Sequence, residues 1–261
     1  LNILITPPLW YKEISMLFKQ TGDSTLPTVI FLHGGGLSDW SWDKIAALMV
    51  GRYNVVTTVI DGHGQDGSEE FSTIEACAQK VIEYIKTNHG GKVYAICGLS
   101  IGAQIACEVL SGNENIADYA VIESALLYPI KGTTALTVPT YRLCYGLIKT
   151  RWFAKLQAKT LRVLPELFER YYQDSLNITR QSLINLTISN GNYPMKFSIA
   201  NTGAQVLIIV GEKELGVMKR SAELLHQTIK DSKLYIAPKC KHGEISLAHP
   251  KEYVELLESF F

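Results

Sequence analysis

Apolar and polar positions alternate in blocks along most of this chain. Short runs rich in Val, Ile and Leu, as buried strands are, occur at residues 28–32, 53–60, 92–97, 119–126, 204–211 and 233–238. Between these runs, apolar residues recur at the spacing of an amphipathic helix. Continuous apolar strands separated by such helices predict an α/β protein with a mostly parallel sheet covered on both faces.

Two of the predicted helices carry recognisable end signals. Thr73 is placed to cap the helix that follows it, and Gly90 and Gly91 are placed to end that helix. Earlier in the chain, Ser38 or Asp39 is a candidate N-cap for a helix predicted within residues 39–53.

The alternation breaks between about Lys131 and Ser198, where the pattern is helical with little strand signal. Within residues 151–172 an apolar stripe repeats at helical spacing, and four basic residues are expected on the opposite face: Arg151, Lys155, Lys159 and Arg162. Pro165 is expected to kink or break this helix. We therefore predict a helical insertion over the carboxyl-terminal edge of the sheet.

Composition narrows the class of protein. Lys plus Arg and Asp plus Glu both total 25, which does not favour a nucleic-acid-binding protein. The five cysteines are odd in number and contain no CxxC pair, as expected for reduced thiols in a cytoplasmic protein. No run is long enough for a membrane span, and no signal peptide is visible, so stable membrane insertion is not expected.

The charge is unevenly distributed. Residues 131–198 contain ten Lys or Arg and three Asp or Glu, and the rest of the chain carries the opposite excess. A basic surface of this kind attracts anionic substrates or an anionic lipid surface, although it is also consistent with an ordinary solvated helix face.

A serine between glycines joins a predicted strand to a predicted helix. Gly98-Leu99-Ser100-Ile101-Gly102 fits the pattern G-x-S-x-G, in which the serine is raised on a sharp turn and side chains at the glycines would clash. We interpret Ser100 as a nucleophile.

A serine nucleophile needs a base and an acid that orients the base. His242 follows the last predicted strand and is the candidate base, whereas His89, His226 and His249 fit turn or helix positions better.

The acid is less well determined by the sequence. Glu214, three residues after Gly211 at the end of a strand, is favoured over Glu212 and over Glu123 at the end of another strand. All three are kept as alternatives.

A glycine-rich loop follows the first predicted strand. Its residues are His33-Gly34-Gly35-Gly36, and small residues there allow a backbone amide to approach a developing oxyanion. We predict that the Gly35 amide acts together with the Ile101 amide, with Gly34 and Gly36 as alternatives, and that His33 is structural.

These motifs together resemble the α/β-hydrolase-fold serine hydrolases with a helical cap. The motifs that carry the resemblance span nearly the whole chain in order: His33-Gly34-Gly35-Gly36, Asp61-Gly62-His63-Gly64, Gly98-Leu99-Ser100-Ile101-Gly102, Gly211-Glu212-Lys213-Glu214 and His242. The resemblance implies a three-layer fold with an eight-stranded, mostly parallel sheet and a Ser-acid-His triad. We expect a core of residues 1–130 and 199–261 and a cap of residues 131–198.

Family members more often carry Asp at the position of Glu214, and the Asp61 loop departs from the usual D-x-P-G-H-G and is taken as structural. Relatives with an aspartate nucleophile, the dehalogenases and epoxide hydrolases, are disfavoured because residue 100 is Ser.

The function expected from these residues is hydrolysis of a carboxylic ester or thioester of a small, largely apolar substrate through an acyl-serine. Candidate substrate-binding residues are Trp40, Tyr128, Tyr145 and Trp152, although core packing is an equally simple role for most of them. No metal or organic cofactor is implied. The alternatives are an acyltransferase or lyase that uses the same triad, and a ligand-binding protein without turnover.

Overall fold

The computed structural model describes residues 16–66 and 69–261. Residues 1–15 and 67–68 of the expected core lie outside the described residues. The strands are β1 (Leu17–Thr21), β2 (Thr28–Leu32), β3 (Asn54–Val59), β4 (Val93–Leu99), β5 (Ala117–Glu123), β6 (Gln205–Gly211) and β7 (Ser232–Ala237).

These strands form one sheet in the order β1-β3-β2-β4-β5-β6-β7. Only β1 is antiparallel to its neighbour, so the expected mostly parallel sheet is confirmed. The described residues contribute seven strands, where the family resemblance implied eight.

Ten α-helices are described, and their bounds follow chain order: α1 (Asp43–Met49), α2 (Ile74–Asn88), α3 (Ile101–Gly112), α4 (Thr133–Ile148), α5 (Arg151–Thr160), α6 (Phe168–Asn177), α7 (Arg180–Asn192), α8 (Gly216–Thr228), α9 (Glu244–Ala248) and α10 (Pro250–Phe260). In this part of the chain, no helix combines the length and apolar character that crossing a bilayer requires.

The sheet separates two apolar clusters. Along β2, Ile30 and Leu32 belong to the cluster that includes α2, α3 and α8, whereas Val29 and Phe31 belong to the cluster that includes α1 and α10. Alternate residues of a strand point to opposite faces, so a strand buried on both faces reads as a continuous apolar run. The result is the expected three-layer fold.

The predicted cap of α2 is confirmed, because Thr73 Oγ1 accepts a hydrogen bond of 3.1 Å from the Ala76 amide. The predicted cap near α1 is wrong. The Ser38 hydroxyl donates to Asp39 Oδ1 at 2.9 Å instead of capping, and residues 39–42 form a 3-10 turn before α1.

The four helices α4–α7 follow one another between β5 and β6, where the sequence pattern is helical. The helix expected through residue 162 is shorter than predicted. It ends at Thr160, and Arg162 has a left-handed φ of 57°, so Arg162 does not lie on the basic face of α5. Pro165 begins a 3-10 turn that precedes α6.

Candidate active site

Ser100 lies on a strained turn between β4 and α3. Its φ of 56° and ψ of −113° are rare for a residue with a side chain. A Cβ added at Gly98 would lie 2.4 Å from Gly102 O, and one at Gly102 would lie 2.2 Å from Leu32 O. The Ser100 amide donates to Glu123 O at 2.9 Å, which ties this turn to the end of β5.

The two ring nitrogens of His242 are in different situations because one of them meets a buried carboxylate. His242 Nδ1 lies 2.8 Å from Glu214 Oε2, and Glu214 Oε1 accepts from the Gly211 amide and the Ser124 hydroxyl, each at 2.7 Å. The Glu214 side chain is 1% exposed, whereas that of His242 is 48% exposed. Since an ionised carboxylate only accepts, Nδ1 carries the proton in neutral His242 and Nε2 is left as a base.

The electrostatics of Glu214 match this arrangement. Burial by itself would raise the pKa of Glu214, but the hydrogen bond and charge of His242, with the bonds from Gly211 and Ser124, outweigh burial and lower that pKa. The carboxylate is therefore ionised at neutral pH and holds the imidazole in one orientation.

The other two candidate acids have different surroundings. Glu212 is exposed, and its Oε2 accepts from the Lys239 amide at 2.6 Å. Glu123 is 1% exposed, and its Oε2 has no hydrogen-bond partner within the described chain. Burial, aided by the charge of Glu214, raises the pKa of Glu123 to about 7, against hydrogen bonds from Ser246 and the charge of His242.

The segments that carry Ser100 and His242 are in contact through their neighbouring residues. A Cβ placed on Gly243 would lie 3.0 Å from Leu99 Cδ1, so Leu99 packs on the backbone next to His242. No hydrogen bond joins Ser100 to His242 within the described residues. Such bonds are often long before substrate binds, and they tighten in the complex.

The glycine-rich loop after β2 lies beside the nucleophile turn. A Cβ at Gly35 would lie 3.8 Å from Ile101 Cγ2. Among the described residues, neither the Gly35 amide nor the Ile101 amide has a hydrogen-bond acceptor. Both amide hydrogens are therefore without a hydrogen bond in this part of the chain.

His33 holds this loop in place. Its Nε2 accepts from the Ile60 amide at 3.0 Å, and its Nδ1 lies 2.8 Å from Gly34 O, so both nitrogens are occupied. Burial, with the charge of His63, lowers the pKa of His33 to about 3, and the ring is neutral at physiological pH.

The Asp61 loop is held by internal contacts. Asp61 is 2% exposed and forms an ion pair with Lys80, and His63 Nδ1 lies 3.0 Å from Asp61 O. These contacts agree with the structural role expected from the sequence. In the described residues, no cluster of His, Cys, Asp and Glu side chains has the arrangement of a metal site.

The family model described as the alpha/beta hydrolase family matches residues 29–256. The chain belongs to the alpha/beta hydrolase family. A search of the curated proteins gives no match to this chain.

Solved structures of hydrolases share the fold of this alpha/beta hydrolase at low identity. An esterase from Thermogutta terrifontis is 17% identical, with a TM-score of 0.75 over 94% of this chain and 92% of its own. A carboxylesterase from Nitrososphaera gargenis is 16% identical, with a TM-score of 0.77 over 94% and 93%. The enol-lactonase from Burkholderia xenovorans is 15% identical, with a TM-score of 0.76 over 94% and 95%.

A pocket of about 370 Å³ lies between the glycine-rich loop and the inserted helices of this hydrolase. Gly35 and Leu186 are on its wall, and Leu186 Cδ2 would lie 3.5 Å from a Cβ at Gly35. Ser100 and His242 are not among the lining residues, so the pocket adjoins the nucleophile turn from the side of Gly35.

The wall of this pocket is mostly apolar and comes from α4–α7. Representative apolar lining residues are Ile148, Phe153, Leu156, Leu161, Leu183 and Leu186. Asp174 is the only Asp, Glu, Lys or Arg on the described wall, and burial raises its pKa. The sequence pattern alone did not reveal Asp174, Leu183 or Leu186 as pocket residues, because helical spacing does not distinguish a pocket wall from a packed core.

The four aromatic residues proposed for substrate binding lie elsewhere. Trp40 is 3% exposed and donates to Asp174 Oδ2 at 2.6 Å, so it supports the pocket wall from behind. Tyr145 donates to Ile178 O at 2.9 Å. Tyr128 and Trp152 are 38% and 62% exposed. None of the four lines the 370 Å³ pocket.

Proposed function

We propose that this alpha/beta hydrolase is a serine esterase that cleaves a carboxylic ester, or a thioester, of a small and largely apolar substrate. The observation that carries the proposal is the 2.8 Å contact between His242 Nδ1 and the buried Glu214 carboxylate, beside a strained turn that presents Ser100. Folding by itself does not require a half-exposed histidine whose orientation is fixed by an ionised acid, whereas a serine nucleophile does.

In the proposed reaction, Ser100 Oγ attacks the ester carbonyl carbon while His242 Nε2 takes the hydroxyl proton. Glu214 stabilises the imidazolium that forms, and the amides of Gly35 and Ile101 donate to the tetrahedral oxyanion. The intermediate then expels the alcohol, which takes the proton from His242. Water attacks the acyl-serine with His242 as base, and the acid leaves with Ser100 restored.

The pocket supports a neutral, apolar substrate more than an anionic one. Its described wall offers alkyl and aromatic side chains and one carboxylate, that of Asp174, and an anion would be repelled there. We propose that residues 131–198 act as a cap that determines the substrate.

All five cysteines are free thiols, which supports the cytoplasm as the compartment.

A fluorophosphonate probe tests the nucleophile directly. We expect the wild-type protein to be labelled once, on Ser100, with loss of p-nitrophenyl butyrate hydrolysis. Ser100→Ala should take no label, whereas Ser111→Ala, on the far end of α3, should react like wild type. A folded wild-type protein that neither reacts with the probe nor hydrolyses the ester would overturn the proposal.

Substrate charge is tested with two esters of similar size, one neutral and one carrying a carboxylate. We expect kcat/KM to be higher for the neutral ester and to change little with salt. A preference for the anionic ester that falls steeply with salt would instead indicate electrostatic steering by the basic residues of 131–198.

A further inference from the structure

A long stretch of the chain around α4 and α5 contains basic residues but no acidic ones. From Ser124 to Pro165 there are seven Lys or Arg and no Asp or Glu. The chain as a whole has equal numbers of both kinds, so this region is positively charged and the remaining residues carry an acidic excess of the same size. Such a local excess attracts anionic surfaces over about one Debye length.

The helix α4 in this stretch exposes large apolar side chains on one side. Leu136, Leu143 and Leu147 are 68%, 85% and 40% exposed. At 100° per residue these three positions fall within about 40° of one another, so they form one stripe along the helix. Scattered exposed leucines are common on protein surfaces, but a stripe marks an interaction site.

The next helix, α5, also exposes large apolar side chains. Trp152 and Leu156, one helical turn apart, are 62% and 57% exposed. Leu156 also lines the 370 Å³ pocket, together with Phe153 of the same helix. Leu156 therefore belongs both to the exposed surface of α5 and to the wall of the pocket.

Several basic side chains of the stretch already have partners. Arg151 pairs with Glu169, Arg162 lies 3.6 Å from Glu244, and Lys149 donates to three backbone carbonyls. No ion pair with a described residue is formed by the other four, which are Lys131, Arg142, Lys155 and Lys159, although the charge of Lys155 acts on Glu169. All four are exposed, so their charge is available to a partner.

We propose that the outer surface of α4 and α5 docks on an anionic lipid bilayer. This docking face is defined by Leu136, Leu143 and Leu147 of α4 and by Trp152 and Leu156 of α5. Lys155 and Lys159 complete it, because at 100° per residue they fall within about 100° of Trp152 and Leu156 on α5. Exposed leucines and a tryptophan insert into the interfacial region of a bilayer, while Lys and Arg bind anionic headgroups. A second copy of this chain is a poorer occupant, because a symmetric contact would bring two unpaired basic faces together.

Vesicle co-sedimentation tests this proposal without depending on catalysis, because Ser100→Ala should bind vesicles like wild type. We expect binding to vesicles of roughly seven parts phosphatidylcholine to three parts phosphatidylglycerol, and much weaker binding to phosphatidylcholine alone. Binding should weaken as NaCl rises from about 0.1 M to about 0.5 M.

Two sets of variants address the two components of the face. The pair Lys155→Gln and Lys159→Gln should lower affinity for anionic vesicles about fivefold per charge, roughly 25-fold in all. The pair Leu143→Gln and Trp152→Gln should lower it about tenfold or more while leaving salt dependence intact. Hydrolysis of a water-soluble ester and the circular dichroism spectrum should stay at wild-type values in both.

Matched controls change similar side chains away from this face. Phe197→Gln removes a side chain that is 71% exposed on the 3-10 turn packed against α3, and Lys251→Gln removes an exposed charge on α10. Neither should alter vesicle binding. Wild-type protein that stays in solution with anionic vesicles, or face variants that bind like the controls, would overturn the proposal. So would a dimer that Leu143→Gln dissociates without any vesicle binding.

Discussion

The carboxyl ends of β4, β5 and β6 differ from the four helices α4–α7 in burial and in the contacts that hold them. In α3, which follows Ser100, nine of twelve residues are buried, whereas in α4 only Thr137 and Ile148 of sixteen are buried. At the strand ends, backbone amides hydrogen-bond to neighbouring strands, and glycines approach other backbone atoms so closely that a Cβ would clash. The helices α4–α7 line the pocket mainly with apolar side chains and expose apolar and basic side chains on their outer surface.

This difference predicts which parts of the protein tolerate amino-acid substitutions. A group held by backbone geometry has few acceptable substitutions, because the neighbouring chain cannot move away. A pocket wall of interchangeable alkyl groups can change size with a modest energetic effect. We therefore expect substitutions at the strand ends to abolish activity or folding, and those in α4–α7 to change substrate preference.

The largest expected effect is on turnover, at Glu214. Glu214→Gln removes the charge that stabilises the imidazolium and allows the wrong His242 tautomer, so kcat should fall about 10³-fold or more. Glu212→Gln is the matched control and should stay within about twofold of wild type. Steady-state hydrolysis of p-nitrophenyl butyrate gives both values. Equal losses in the two variants would mean that Glu214 is not the orienting acid.

The next effect is on folding, at the glycine that contacts β2. Gly102→Ala places a Cβ 2.2 Å from Leu32 O and should destabilise the protein by about 3 kcal/mol. Gly112→Ala, at the other end of α3, meets no atom within 4 Å and should be neutral or slightly stabilising. Urea denaturation compares the two. A Gly102→Ala protein as stable as wild type would show that α3 and β2 can separate.

A third effect is the pH dependence of stability that we attribute to Glu123. The groups around it are Glu214, His242, Ser246, Cys97, Cys240 and Tyr253. Because its pKa of about 7 in the folded protein lies above the ordinary 4.5, Glu123 contributes stability below about pH 4.5 and loses that contribution as the pH rises through about 7.

The ionisation of Glu123 alone should lower the free energy of unfolding of the wild-type protein by about 2 kcal/mol between about pH 5.5 and about pH 8. Glu123→Gln, which cannot ionise, should remove that difference, whereas Glu255→Gln, on the exposed side of α10, should keep it. Thermal denaturation at both pH values measures the change. If Glu123→Gln keeps the full wild-type dependence, Glu123 is ionised in the folded protein at both pH values.

The smallest expected effect separates two neighbouring residues of α5. Phe153 lines the pocket and Trp152 does not. Phe153→Ala should lower kcat/KM for a butyrate ester about fivefold, near 1 kcal/mol, and favour longer acyl chains in the vacated space. Trp152→Ala should leave hydrolysis of a soluble ester unchanged. The ratio of kcat/KM for butyrate and octanoate esters in each variant is the measurement, and a larger loss in Trp152→Ala would reverse the assignment of the wall.

Most of the sheet could be predicted because its strands are buried on both faces. The runs at β2 and β6 are continuous in Val, Ile, Phe and Leu, and such runs have few alternative structures. The strand β1 was not predicted. Its sequence LFKQT is short and has no continuous apolar run, and all five of its residues pair with β3 at the edge of the sheet.

Some residues of the candidate site could also be predicted from the sequence, and others could not. The turn at Ser100 and the offset of Glu214 from Gly211 could be predicted because they depend on local spacing. Ser124, which donates to Glu214 from a left-handed φ of 56°, carries no such signal, since a serine after a strand is common. The pocket wall depends on how four helices pack against one another, and periodicity alone does not contain that information.

The ends of the three central strands are tied to one another in series. The Ser100 amide reaches across to Glu123 O, the Ser124 amide reaches on to Ile209 O, and the Ser124 hydroxyl reaches Glu214 beyond β6. A partial opening at any one strand would therefore disturb the groups on the next. Native-state hydrogen exchange should report the Ser100 and Ser124 amides as one cooperative unit, and the reacting groups would be dismantled together rather than one by one.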